Sequence, residues 1–150
     1  MSSINPIQPF TRSSTQVATQ VFDVDGVPSA YLLRGGDWPQ GLSFVTPDET
    51  FIQAGTWRYD AGTDLAAHAH KEYERVAMKT QETVYIKQGS LKAILYNKKR
   101  NPVNEVVLHT GDLLVITECG HGYEILEDDT QVLEVKNGPF VSVEHDKEKF

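Results

Sequence analysis

The feature that most constrains this chain is its punctuation. From about residue 51 onward, short alternating or apolar segments are each cut off by turn residues, at intervals of eight to twelve positions. That is roughly the spacing of an all-β sandwich or barrel. It predicts strands at 51–59, 82–87, 91–97, 103–109, 113–117, 122–126 and 131–136. The breaks have a mechanism: Gly62, Gly89, Gly111 and Gly138 can take the positive φ that tight turns require. Asn101-Pro102 and Gly138-Pro139 favour turn initiation. Upstream, 15–24 and 29–33 read as two further strands separated by Asp25-Gly26, and 35–41 reads as a loop. Residues 70–81, with Tyr73, Val76 and Ala77 at i, i+3 and i+4, fit a short helix or an irregular loop equally well. The charged tail 144–150 is expected to lie over the surface.

These segments form one domain over 1–150, with a core at about 51–137 and residues 1–50 as N-terminal strands or an arm; no linker, low-complexity tract or repeat divides them. A chain of 150 residues, 39% of them hydrophobic, buries a core of its own. No apolar run exceeds four residues, whereas a membrane-spanning helix needs about 20. The first residues lack the basic start and apolar stretch of a secretory signal, so a cytoplasmic protein is expected. The net charge is −7, from 14 basic and 21 acidic side chains, which disfavours nucleic acid and anionic membranes as partners. The single basic run, Lys98, Lys99 and Arg100, reads as a solvated hairpin tip. Cys119 is the only cysteine, which excludes an intramolecular disulfide and a CxxC zinc site; any metal must be held by His and carboxylate.

Histidine supplies the chemistry. His68 and His70 form an HxH pair, and on a strand residues i and i+2 share a face, so both imidazoles can converge on one ion. Alone, such a pair is a weak signal. It is accompanied by Gly62 five intervening residues upstream, by Glu82 and Gly89 separated by six, and by a second glycine turn at Gly111 leading through an apolar run to His121. On these residues the chain resembles the cupin superfamily. The first cupin motif, G(x)5HxH(x)3–4E(x)6G, is matched at Gly62, His68, His70, Glu82 and Gly89. The second, G(x)5PxG(x)2H(x)3N, is matched at Gly111 and approximately at His121. Eleven residues separate His70 from Glu82 where the pattern has three or four, so 71–81 must loop out and return. Thr117 stands in place of the motif's proline, His121 comes one residue early, and the final asparagine is missing.

The resemblance implies an all-β double-stranded β-helix, a small jelly-roll barrel with an N-terminal extension. It implies one divalent transition metal per chain (Fe, Mn, Ni, Zn or Co) held by His68, His70, Glu82 and His121, and a homodimer paired through N-terminal strands. Three neutral imidazoles and a carboxylate suit such a metal and leave coordination positions open for water or substrate. The function it implies is a metal-dependent enzyme, of dioxygenase or isomerase/lyase type, acting on a small anionic or polyhydroxylated metabolite. The alternative is a noncatalytic binding or sensor module for a small sugar or acid. The segment 133–139 is similar to the closing strand of small cupins associated with surface-polysaccharide and sugar metabolism.

Each residue also has a plainer reading. The HxH pair could sit exposed in a loop, and Glu82 could be a surface carboxylate, with Gln81 or no protein group as fourth ligand. If Glu82 faces inward, so do Val84 and Ile86; if His121 does, so do Tyr123 and Ile125. Tyr123 is then a candidate proton donor or a core tyrosine. Trp57 and Arg58 are candidate substrate contacts on opposite strand faces. Arg75 could clamp an anionic substrate with its planar fork, or pair with Glu72 or Glu74. Cys119 reads as a small buried side chain, and His109 and His145 as exposed.

Overall fold

The structure is a computed structural model and describes residues 16–150. It is all-β apart from two short helical turns. The strands are β1 (Gln20–Val24), β2 (Val27–Leu33), β3 (Gly41–Phe44), β4 (Gly55–Arg58), β5 (Glu82–Gln88), β6 (Ser90–Tyr96), β7 (Pro102–His109), β8 (Leu113–Ile116), β9 (Gly120–Ile125) and β10 (Gln131–Lys136), followed by the single turn α1 (Val143–Asp146). They form a five-stranded sheet in the order β1-β2-β8-β5-β10, a three-stranded sheet β7-β6-β9 and a ribbon β3-β4. Every pairing between these strands is antiparallel. No closed barrel is formed among the described residues.

The alternation read in the sequence now has a destination. Phe22, Leu32, Val84, Ile86, Leu114 and Ile116 of the five-stranded sheet meet Leu91, Ala93, Leu95, Val106 and Leu108 of the three-stranded one in a single buried cluster. Each large aliphatic side chain so buried contributes about 1.5–3 kcal/mol relative to exposure. A second cluster, Tyr31, Leu33, Val45 and Val115, lies on the other side of the five-stranded sheet, with Trp38, Ile52 and Ala54 packed against it. β2 and β8 are therefore covered on both faces. This is why 30–33 and 113–116 read as unbroken apolar runs instead of alternating ones. The N-terminal strands are consequently part of the sandwich itself, contributing to both clusters.

Local chemistry sets the turns. Asp25 (φ 51°) and Gly26 (φ 76°) both take positive φ, the requirement of the tight turn that joins twisted strands. Gly62, Gly89 and Gly111 also take positive φ. Gly138 does not; the bond that follows it, Gly138-Pro139, is cis. At Gly89 (φ 82°) a Cβ would lie 2.4 Å from the Thr130 hydroxyl and 3.0 Å from its Cα. We expect Gly89→Ala to cost about 2 kcal/mol or more, from backbone strain and this overlap together. An unchanged urea midpoint would contradict it. The basic run forms the expected β6–β7 tip, where the Asn97 side chain accepts from the Lys99 and Asn101 amides, each at 3.0 Å.

Some of these bounds are revised. The strand read at 51–59 shrinks to β4, because the backbone of 46–54 is satisfied by side chains: Ile52 N–H donates to Gln81 Oε1 at 2.8 Å and Ala54 N–H to Thr46 Oγ1 at 3.2 Å. Of the two readings of 70–81 the irregular loop is the one observed; Tyr73, Val76 and Ala77 are all exposed, so the apolar stripe has nothing to pack on. The ribbon strand β3 was not anticipated. The first predicted strand begins at Gln20, and Thr15 lies outside the described residues. The tail crosses the surface, with Phe150 edge-on to Tyr96 at 5.2 Å.

One polar group organises the strand ends. Asp112, 5% exposed, accepts from Gly35 N–H, His109 N–H and the Arg34 guanidinium at 2.9, 2.9 and 2.6 Å. Arg34 also donates to the Val107 carbonyl at 2.8 Å, so the loop after β2 is fastened to the β7–β8 turn.

Candidate functional site

Glu82 is the first residue of β5, between β8 and β10, and only 4% exposed. It shares the inward face with Val84 and Ile86, as strand parity requires. Across the sandwich, β9 carries His121 and Tyr123 two residues apart, and both side chains reach the same oxygen. His121 Nε2 lies 2.8 Å from Glu82 Oε1, and the Tyr123 hydroxyl donates to that atom at 2.8 Å. The third residue of that parity set, Ile125, is exposed, because neither β9 nor β10 contributes a side chain to the buried clusters and the sandwich opens there.

Burial alone would raise the Glu82 pKa; the hydrogen bond and charge of His121, then the Tyr123 hydroxyl, outweigh it and hold the carboxyl below its ordinary range. Glu82 is therefore an acceptor, so His121 Nε2 carries a hydrogen in this contact. His121 Nδ1 is buried without a hydrogen-bond partner. Burial and then the Glu82 charge push the Tyr123 phenol well above its ordinary value, which keeps the hydroxyl protonated and directed at Glu82. The Cys119 thiol is pushed up to about 11, chiefly by burial; it packs against the core as a small apolar group.

His68 and His70 lie in the irregular segment after β4, both exposed, with ring centroids 5.2 Å apart and planes at 85°. His68 Nδ1 is 3.2 Å from the Ala66 carbonyl. The four residues read as ligands thus fall into two pairs, and among the described residues no three His, Cys, Asp or Glu are gathered to hold a metal ion. The donor types nevertheless suit a borderline divalent metal. A metal held through His121 Nε2 would take the place of the hydrogen that this nitrogen now shares with Glu82.

Gln81, the alternative fourth ligand, is occupied elsewhere, its amide oxygen accepting from Ile52. Trp57 and Arg58 sit on the ribbon and are tied to the loop before it: Trp38 Nε1 donates to the Trp57 carbonyl at 3.0 Å, and Arg58 donates to the Trp38 carbonyl at 3.1 Å. Arg75 stacks on the Tyr73 ring at 3.7 Å. His109 and His145 are exposed, as expected.

Lys136 was not among the residues singled out. It is the β10 cross-strand partner of Glu82, on the same sheet face, and borders a cleft of about 500 Å³ that Met78, Thr80, Asn137, Phe140 and His145 also line. Only the β5–β10 register reveals this neighbour, and register is set by tertiary pairing. No helix among the described residues is long and apolar enough to cross a membrane. No protein-family model matches the chain, and no curated protein or solved structure matches it significantly.

Proposed function

We propose that this chain is a metal-dependent enzyme of the cupin type, a cytosolic homodimeric jelly roll acting on a small anionic or polyhydroxylated metabolite. The observation that carries the reading is the 2.8 Å contact between Glu82 and His121. The two were selected from separate sequence motifs, and they meet across two sheets at the open end of the sandwich. His68, His70, Glu82 and His121 would hold one divalent ion of Fe, Mn, Ni, Zn or Co. When bound, the ion supplies Lewis acidity, or redox chemistry of dioxygenase type if it is iron.

The remaining work falls to the chain. Tyr123 keeps its proton and donates it in a hydrogen bond to Glu82, fixing that carboxylate, while Ile125, Val132 and the phenol ring supply apolar wall at the opening. The cleft beside Lys136 has the volume of a small-molecule site; the Lys136 ammonium pairs with Glu134 Oε1 at 3.0 Å, and an anionic group would have to share it. Arg75 is the second cation available to a substrate carboxylate or phosphate.

The test is turnover. Protein reconstituted with Fe(II) or Mn(II) is incubated with a panel of hydroxy acids, keto acids and sugars. Consumption of one compound by the wild type, lost in His68→Ala/His70→Ala, is the expected result. Tyr123→Phe should retain metal and lower turnover about a hundredfold. Saturable binding of a panel member without turnover under either metal would contradict the enzyme reading and favour a sensor or binder.

A further inference from the structure

We propose that residues 66–80 are a strap that docks along β9 when a divalent cation binds, extending the three-stranded sheet and carrying His68 and His70 to Glu82 and His121. The inference rests on the metal reading above and adds the movement that completes its site.

Four observations point to it. The strap is fifteen residues without strand or helix, and stretches of that length inside a compact domain are uncommon unless they serve a function. Next, β9 pairs with β6 and, among the described residues, with no other strand, so alternate amides and carbonyls along its far edge face away from β6. Both surfaces are apolar and exposed: Tyr73, Val76 and Met78 on the strap, Tyr123, Ile125 and Leu126 on or after β9. Finally, an extended segment beside β9 presents alternate residues to the side of the sheet that His121 and Tyr123 use, so His68 and His70 can stand there together. Eleven residues separate His70 from Glu82, enough to span about 36 Å, and docking requires no stretching.

The energetics give the coupling its direction. The open arrangement offers a cation two donors at each of two places, whereas the docked one offers four at a single place. A cation therefore binds the docked state more tightly, and only such a difference can shift the population.

Trypsin reads the shift, because Lys71, Arg75 and Lys79 all lie in the strap. The full chain is digested with no metal, with Mn2+ alone and with Zn2+ alone, and bound metal is measured on the same samples. We expect cleavage after Lys71 and Arg75 to slow about tenfold or more when metal is bound, since proteolysis follows the open population. Amide exchange of β9 should slow in parallel, and His68→Ala/His70→Ala should lose both effects. Bound metal with unchanged strap cleavage, or with a protected strap and unchanged β9 exchange, overturns the docking while leaving the metal reading intact. Failure to bind either metal overturns both.

Discussion

Asp112→Ala lowers the unfolding free energy by about 3 kcal/mol, chiefly through two backbone amides. Gly35 N–H and His109 N–H both donate to this carboxylate, and removing it strands them at a site with little water, at about 1–3 kcal/mol each. The Arg34 side chain is 35% exposed and can recover hydration, so its lost ion pair adds little. The same contacts set an acid limb. Burial would raise the Asp112 pKa, but the His109 and Gly35 amides and Arg34 outweigh it and hold it below the ordinary range. A carboxyl depressed in the folded state stabilises fully above its unfolded pKa, near 4, and loses that contribution as pH falls through the folded value. Urea denaturation at pH 7, 5 and 3.5 should show the wild type weakening below about pH 4, and Asp112→Asn weakening less over that window. Parallel profiles for the two proteins would refute the assignment.

Glu82→Gln is expected to uncouple fold from metal. The amide keeps the volume and an acceptor oxygen for Tyr123, so stability should fall by only about 1 kcal/mol. The variant loses the only carboxylate of the proposed donor set, and metal affinity should drop about a hundredfold or more. Thermal unfolding beside metal titration separates the two. A variant that binds metal like the wild type would make Glu82 a structural carboxylate whose task is to hold His121 and Tyr123.

The strands of an all-β fold were legible in the sequence where a local rule and burial agreed. Gln131–Lys136 was read at its observed bounds, and β5 to β8 within a residue or so, since glycine turns bracket alternating apolar positions. Reading failed at 51–59, where an apolar, aromatic stretch looks like a strand but Gln81 and Thr46 take its backbone groups from twenty-nine and eight residues away. No periodicity encodes such distant side chains. The site was legible in part for the same reason. Glu82 and His121 follow from glycine-anchored spacing, and Tyr123 from parity with His121. Lys136 required the sheet register, and Asp112 required knowing that Gly35 comes within contact of Gly111. For His68 and His70 the motif named the residues and said nothing about where a spacer of eleven residues, in place of three or four, would leave them.

The most direct test of the central claim is elemental analysis of protein prepared without a nickel column, beside His68→Ala/His70→Ala. The account predicts about one Fe, Mn, Ni, Zn or Co per chain in the wild type and near none in the double variant. Metal absent from both after reconstitution, or retained by the double variant, would contradict it.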